Sequence, residues 1–532
     1  MKRLIIATVL LVAATVLVTV VYFRHLNTTS KHANLAMRTI PNDASFIFEF
    51  GNENDFYDIF SGNKLFVNLL GEDKLDELTA LRKVLLQNPL LKRYFTGQDI
   101  YLSLHPQKNN SIDFLLTASV SEDFHEDILE QVAKQPKNGM VITAVNNIAG
   151  KSGYEVYLSE LKKRFYLINK DDRTLCGSFS KDVIEDCARY DYRKEKESFV
   201  LLPDKQRSNS LANLYVNYRA LTPLVEQLFQ NKNYDIFRSI RQFPAFGALS
   251  LNFRSDALLF NGMTQAEAGG PPNYFDAFSD QQPVQVHLKE LFPATTAYFT
   301  SFAVSNPAKF ESHLADVITR SSFYDEKTKI LTKVKIETGI RILKEFSHLL
   351  GNEFAIVTTH YHEKIGIVQI NDGLKLLTFL TNISKMTSDN SGQFNYEKLP
   401  QILLGEPFSL FKRPYFKVID NYLILANSES ELISYYDTYT NRKFLSKTEG
   451  YNDFNNLVAE RCNVALFIHI KNATQLFKQD MKPAFHNDLN RSEPGWKNFY
   501  GASWQFSAAD KNFYTNFCMR LLTDTTSANT SF

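Results

Sequence analysis

Two histidines separated by one residue are the best candidate metal ligands in this sequence. They lie in the run His360-Tyr361-His362-Glu363, and side chains at positions i and i+2 of a β-strand point to the same face. Two imidazoles on one face can share a divalent transition-metal ion. The sequence shows no third ligand beside them, and the flanking strands predict a hairpin tip, where exposed polar residues are ordinary. His360 and His362 are therefore metal candidates, with solvated loop residues as the alternative interpretation.

A second group of residues is similar to two of the three motifs of penicillin-interacting serine enzymes. These are Ser178-Phe-Ser-Lys181 and Ser388-Asp-Asn390, but the third motif, Lys-Thr-Gly, does not occur in the sequence. Ser178 or Ser180 more simply caps the helix predicted to follow. The sequence also lacks the glycine-rich nucleotide loops, the esterase elbow and the zincin motif. We therefore predict no catalytic residue, no cofactor-binding residue and no cofactor.

The elements that carry these residues follow a pattern of one strand, a helical stretch, and then several alternating strands. Residues 111–120 and 165–168 have the composition of strands, and residues 182–189 and 221–230 that of helices. Strands 354–359 and 365–370 are separated by five residues, which is typical of a hairpin. The sequence therefore predicts an α+β fold, largely antiparallel sheet with helices packed on one face.

The chain repeats its landmarks about 252 residues apart. Pro41 and Pro293 each open a run with aromatic residues in register, and Gly97 with Asp99 matches Gly351 with Glu353. Such a period is too long for a solenoid repeat, whose units run about 20 to 50 residues. We therefore predict two tandem homologous α+β domains, and expect them to pack together. The predicted segments are a signal anchor (1–26), a first repeat (37–265), a linker rich in glycine and proline (266–291), a second repeat (292–521) and a flexible tail (522–532).

The N-terminal segment 5–23 has 19 residues without a charge or a proline. A helix of that length spans about 28 Å, enough for the hydrocarbon core of a bilayer. Lys2 and Arg3 precede it, which favours a cytoplasmic N-terminus and a chain that continues outside the cytoplasm. The apolar run is longer than that of a cleaved signal peptide, so we predict an uncleaved single-pass anchor.

Composition restricts the partners. The net charge is +1, from 59 basic and 58 acidic residues, so no long-range field attracts nucleic acid. The 43 Phe and 25 Tyr residues supply bulky groups for a core. Disulfides are permitted outside the cytoplasm, and the cysteines leave two alternatives, a bridge between Cys176 and Cys187 or buried free thiols at all four positions, Cys176, Cys187, Cys462 and Cys518.

The anchor, the two openings at Pro41 and Pro293 and the duplicated units rich in Phe and Tyr carry a resemblance. The chain resembles an uncharacterised family of membrane-anchored bacterial proteins found in Bacteroidetes, with a duplicated α+β domain. The resemblance implies a Gram-negative cell with the bulk of the chain in the periplasm, and it supplies no catalytic residue.

Three functional hypotheses follow. The first is a non-enzymatic protein of the inner membrane whose periplasmic domains bind or scaffold another envelope protein. The second is a carrier or sensor that shelters an apolar, lipid-like ligand between sheet and helices, which the Phe and Tyr content favours. The third is a metal-assisted enzyme that uses His360 and His362.

Overall fold

The computed structural model describes residues 36–53, 56–57, 63–107, 111–125, 127–134, 139–171, 173–194, 210–230, 243, 245–266, 270–483 and 495–522. The anchor predicted at residues 5–23 lies outside these ranges, as do residues 523–532 of the predicted tail. Among the helices in the described ranges, none has both the length and the hydropathy needed to cross a membrane.

The chain divides into two compact units, Met1–Gly62 with Asp73–Asn217, and Asn63–Glu72 with Tyr218–Phe532. Helix α1 (Lys64–Leu70) belongs to the second unit. Helix α2 (Glu72–Leu81) runs into one π-helical turn at Arg82–Leu86. The remaining elements before the boundary are β1 (Phe46–Gly51), α3 (Lys92–Phe95), β2 (Asp99–Pro106), β3 (Ile112–Ser119), α4 (Asp127–Ala133), β4 (Met140–Ile148), β5 (Lys151–Leu158), β6 (Lys163–Asp171), β7 (Thr174–Ser178), α5 (Lys181–Arg189) and β8 (Ala212–Asn217).

The second unit continues with a larger set of elements in the same alternation. They are α6 (Leu221–Leu228), β9 (Ala245–Phe253), β10 (Ala257–Ala266), β11 (Val284–Gln285), β12 (Thr296–Ala303), α7 (Pro307–Thr319), α8 (Tyr324–Thr338), α9 (Ile342–Ser347), β13 (Leu350–Thr359), β14 (Lys364–Ile370), α10 (Gly373–Thr381), β15 (Ser384–Ser388), β16 (Ser391–Phe394), α11 (Leu399–Leu404), β17 (Tyr415–Ile419), β18 (Tyr422–Ala426), α12 (Glu429–Thr440), α13 (Glu449–Asn455), β19 (Arg461–Cys462), β20 (Val464–His469), α14 (Ile470–Asp480), β21 (Phe499–Ala509) and β22 (Asn512–Leu521).

Both units are built on antiparallel sheet. In the first unit the strand order is β8-β1-β2-β3-β7-β6-β5-β4. In the second unit it is β9-β10-β22-β21-β20-β12-β13-β14-β18-β17-β16-β15, and β11 pairs separately with β19. The chain is therefore a mixed α/β protein with extensive antiparallel sheet, as the sequence predicts.

The last eight strands of the second unit, from β20 to β15, repeat the strand order of the first. The register repeats on one side. Phe46 lies opposite Val216, and Tyr298 lies opposite Ile468, with both partners 252 residues further along the chain. On the other side the partners are Leu104 and Thr358, which are 254 residues apart.

Helices cover both faces of the sheet in the first unit, and the prediction of helices on one face was wrong. Consecutive strand residues point to opposite faces, so Leu115 packs with α5 while Leu116 packs in the cluster that includes α2 and α4. Each face is apolar, and each therefore needs its own cover.

The segment predicted as a linker, 266–291, is packed over the part that the structure describes. Asn273 begins a 3-10 helix, Tyr274–Phe278, with a capping box to Asp276. Phe275 is buried and stacks on Phe243 with ring centroids 4.2 Å apart. The boundary between the units follows Asn217 instead. Strands β9 and β10, placed in the first repeat by the sequence, pair within the second unit because β10 forms a long ladder with β22.

Replacing Phe275 with Ala should lower the free energy of unfolding of the second unit by about 3 to 4 kcal/mol, because the ring leaves a cavity among aromatic neighbours. Urea unfolding followed by tryptophan fluorescence measures it, since both tryptophans, Trp496 and Trp504, lie in this unit. The control is Tyr514→Ala, whose side chain is 59% exposed and whose loss should cost well under 1 kcal/mol. Equal effects of the two substitutions would mean that the 3-10 segment is not part of the core.

Candidate functional site

The structure places His360 and His362 in the turn between β13 and β14. The backbone N–H of His360 donates to the carbonyl of Thr295 at 2.9 Å, and His362 has a φ of 67°. Strand alternation therefore does not hold the two rings on one face. In the described ranges, no group of three or more His, Cys, Asp or Glu residues is placed to hold a metal ion. The metal assignment of His360 and His362 stays a prediction.

Ser178 is a buried structural residue at the end of β7. Its hydroxyl donates to the carbonyl of Phe114 at 2.7 Å and accepts the N–H of Ser180 at 3.1 Å. Neither serine makes the helix-capping bond that the sequence suggested, since Ser180 occupies the N-cap of α5 without a side-chain hydrogen bond to the helix. The Lys181 amine faces Glu185 at 3.6 Å. These contacts account for the serine motif without catalysis.

The first unit contains a buried carboxylate that the sequence did not single out. Glu49 on β1 accepts hydrogen bonds from the hydroxyls of Tyr101 (2.7 Å) and Tyr215 (2.6 Å) and from the amide of Asn213 (2.8 Å). These three donors come from β2 and β8, the two strands that flank β1. Burial, followed by the charge of Glu49, raises the pKa of both tyrosines, so both remain donors at neutral pH. The cage locks three strands together around one charge.

A second carboxyl lies beside this cage. Asp99, at the start of β2, is directly opposite Gly51 in the ladder. Burial raises the pKa of Asp99 to about 7, and the nearby carboxylates of Glu49 and Glu53 add to the shift. Asp99 therefore changes charge close to neutral pH.

The second unit holds a different acid at the corresponding place. Glu353 lies opposite Ala303 on β12, as Asp99 lies opposite Gly51 on β1. Its carboxylate accepts the backbone N–H groups of His287 (2.9 Å) and Leu288 (2.8 Å). Burial raises the pKa of Glu353, and these two N–H groups oppose the shift. The acid in the second unit thus anchors a 3-10 turn, Leu288–Leu291.

Two cavities in the described part of the second unit are small. One, between α7, α9 and α11, has a volume of about 40 Å³, and another, beside Phe467 and Gln505, about 30 Å³. Each holds roughly one water molecule, whereas pockets for small ligands measure about 300 to 1,000 Å³.

Helix α8 of the second unit is exposed over most of its surface. Only Lys327 and Val334 of its 15 residues are buried. Ile336 is 78% exposed. We call the following residues the outer face of α8; they line a shallow, open groove of about 500 Å³: Thr328, Lys329, Thr332, Lys333, Ile336 and Glu337.

The corresponding helix of the first unit has no such exposed face. Helix α2 and its π-helical turn cover residues 72–86, and α8 covers residues 324–338, 252 positions later. Five of the six outer-face positions correspond to buried residues: Glu77, Ala80, Leu81, Val84 and Leu85.

Strands explain the difference between the two helices. In the first unit, Leu81, Val84 and Leu85 pack in one apolar cluster with residues of β4, β5 and β6. Strands β4 and β5 have nine and eight residues, whereas β15 and β16 have five and four. In the first unit these helix residues thus share a core with the longer strands, whereas in the second unit the corresponding helix face is exposed.

The sequence analysis did not predict this surface, because no single motif marks it. The signal was available. At a spacing of 252, Lys333 corresponds to Leu81, Glu337 to Leu85 and Ile336 to Val84. The helix face that is apolar in the first unit is therefore mostly polar in the second, with Ile336 as its apolar residue.

Comparison with known proteins adds little. No protein-family model and no curated protein matches the chain. Among solved structures, crystal form III of TP0453 is similar over 47% of this chain and 89% of its own, with 14% identity and a TM-score of 0.22.

Replacing Asp99 with Asn should stabilise the protein in a pH-dependent way. An Asp in the unfolded chain titrates near pH 4, so between about pH 4 and 7 the folded state holds a proton that the unfolded state has lost. The stability of the wild type therefore falls as pH rises through this window. Asn cannot ionise, and Asp99→Asn should gain about 1 to 2 kcal/mol over the wild type at pH 8 and little at pH 4.

Urea titrations at both pH values measure the gain. The control is Asp123→Asn, because the Ser121 hydroxyl holds the pKa of the exposed Asp123 below its usual value, and no gain at pH 8 is expected there. A gain at Asp99 that is the same at pH 4 and pH 8 would contradict the shifted titration.

Proposed function

We propose that this chain is a non-enzymatic, membrane-anchored envelope protein that binds or scaffolds another envelope protein through the outer face of α8. The observation that carries the proposal is the exposure of a helix face whose counterpart in the first unit is core. An exposed apolar residue within a groove is a common feature of protein-binding surfaces.

The proposed location is the inner membrane, with a single pass and the bulk of the chain in the periplasm. The uncharged segment 5–23 and the preceding Lys2 and Arg3 support it. From Phe23 to Ala36, the first described residue, the chain can extend at most about 45 Å. Ala36 and Met37 are buried. The first unit would then be held within about 45 Å of the membrane surface.

We further propose that the two units arose by duplication, and that the bare helix face follows from it. The common strand order, the common register and the 252-residue spacing support this origin. In this view the ancestral helix was covered by a hairpin, as α2 is. Shortening of β15 and β16 in the second unit removed the cover, and polar substitutions at Thr332, Lys333 and Glu337 made the face tolerable in water.

The chemistry of the face indicates the kind of partner. Ile336 offers one apolar anchor, and Lys329 and Lys333 lie on the same groove. A protein segment with an apolar residue flanked by acidic side chains is complementary to it. The cover in the first unit is a β-hairpin, so we infer a hairpin or helix of a periplasmic protein as the occupant.

The alternatives have less support. A carrier of a lipid-like ligand needs several hundred Å³ of apolar space, and the two cavities of about 40 and 30 Å³ do not supply it. A metal-assisted enzyme would need ligands beyond His360 and His362.

Replacing Ile336 with Asp should abolish partner binding without unfolding the protein, because the side chain is solvent-exposed in the free protein. Full-length protein with a photo-crosslinking residue at Thr332 would be expressed in its own host and irradiated in intact cells. We expect one discrete crosslinked envelope protein, reduced at least tenfold by Ile336→Asp. The matched control is Leu374→Asp, which changes an equally exposed residue, 80% against 78%, on a different helix.

Native mass spectrometry of the purified full-length protein supplies the second readout. A protein partner whose loss tracks Ile336→Asp supports the proposal. Equal yields from both variants, or crosslinks that do not depend on position 332, contradict it. A retained lipid would favour the carrier hypothesis.

A further inference from the structure

Cys176 and Cys187 lie together inside the first unit. Cys176 is on β7 and Cys187 is on α5, and both are fully buried in one apolar cluster. Both thiols contact Thr39. The Thr39 hydroxyl is 3.5 Å from the sulfur of Cys176, and the thiol of Cys187 donates to the Thr39 carbonyl at 3.6 Å. Both cysteines are free thiols in this structure, and each is close enough to the other to affect its pKa.

The fold places the two cysteines at similar distances from the connection between β7 and α5. Helix α5 starts three residues after β7 ends and packs back over β7 and β6. Cys187 lies six residues into the helix, about 9 Å along its axis, and Cys176 lies two residues before the strand end, about 7 Å along the strand. The amine of Lys170 fixes the helix end by donating to the carbonyls of Cys187 (2.6 Å) and Ala188 (2.8 Å).

We propose that Cys176 and Cys187 form a disulfide that ties α5 to β7 when the chain folds in an oxidising compartment. The oxidant is a disulfide-bearing protein or small molecule. One cysteine thiolate attacks its disulfide and expels one thiolate, and the second cysteine attacks the mixed disulfide and expels the other. The two cysteines lose two protons and two electrons, and the oxidant becomes a dithiol.

Because both sulfurs are buried in the folded unit, the disulfide must form during folding. Neither sulfur is accessible once α5 has packed on β7, so exchange must precede the docking of α5. Afterwards the same burial protects the bond from reductants. The inference does not rest on the proposed partner-binding surface, but it does rest on the proposed periplasmic location.

The other two cysteines provide an internal control. Cys462 contacts the amide of Gln505 at 3.8 Å, and Cys518 lies on β22. Both are free and buried, and they lie on different strands, β19 and β22. Burial raises the pKa of both thiols to about 12, which keeps them protonated and unreactive. We expect them to remain thiols under the conditions that oxidise the pair.

The test is a thiol count on full-length protein from its own host, with alkylation during lysis and again after denaturation. We expect two alkylated thiols in the wild type, at Cys462 and Cys518, and a linked Cys176–Cys187 peptide by mass spectrometry. Cys176→Ser should show three thiols, because Cys187 is then released, and Cys462→Ser should show one.

Thermal unfolding separates a disulfide from mere proximity. Denaturation of the wild type with a strong reductant present should lower the melting temperature by about 5 °C, whereas a Cys176→Ser/Cys187→Ser variant should not respond. Four alkylated thiols in the wild type would overturn the proposal, as would a linked peptide that contains Cys462 or Cys518. If the serine variants fail to fold, the wild-type thiol count alone decides.

Discussion

The sheet of the first unit has two apolar faces, and both must be covered. The constraint comes from strand geometry, since neighbours such as Leu115 and Leu116 point to opposite sides of β3. In the first unit, helix α5 covers one side of the sheet, while α2 and α4 contribute to the other. In the second unit, by contrast, only two residues of α8 are buried and its outer face is exposed.

The buried carboxylates of the two units accept hydrogen bonds from different kinds of donor. On β1, the carboxylate of Glu49 is stabilised by hydroxyl and amide donors from its two neighbouring strands. Glu353 on β13 instead receives two backbone N–H groups from the 3-10 turn that follows β11. An unpaired buried carboxylate is costly, so each acid fixes its own partners in place. The region predicted as a linker is held in the second unit by this bond as well as by Phe275.

Much of the fold was predictable from the sequence, because it depends on local patterns. Alternating apolar residues located strands such as β13 and β14, and residues 182–189 and 221–230 carried recognisable helices. The paired landmarks at Pro41 and Pro293 gave the correct spacing for strands β1 and β12. The linker and the unit boundary were not predictable in this way. Strand β10 ends at Ala266, before the Gly-Gly-Pro-Pro run, yet the aromatic residues beyond that run return to the core. The pairing of β10 with β22 joins residues about 255 positions apart.

The functional candidates were harder still, because they depend on which side chains the fold brings together. Tyr101, Tyr215 and Glu49 are separated by at least 52 positions along the chain and match no motif. His360 and His362, by contrast, are separated by one residue and were found from the sequence, and they lie in the turn between β13 and β14.

Helix α8 would be marginal if it depended on core packing alone, with only two buried residues over four turns. Polar contacts at its margin hold it instead. The Tyr396 hydroxyl donates to Glu337 at 2.8 Å, and the Lys398 amine pairs with Glu326. Gly339, with a φ of 74°, ends the helix in the left-handed conformation that glycine tolerates best. The outer face is thus formed before any partner arrives, so a partner need not supply the free energy of ordering the helix.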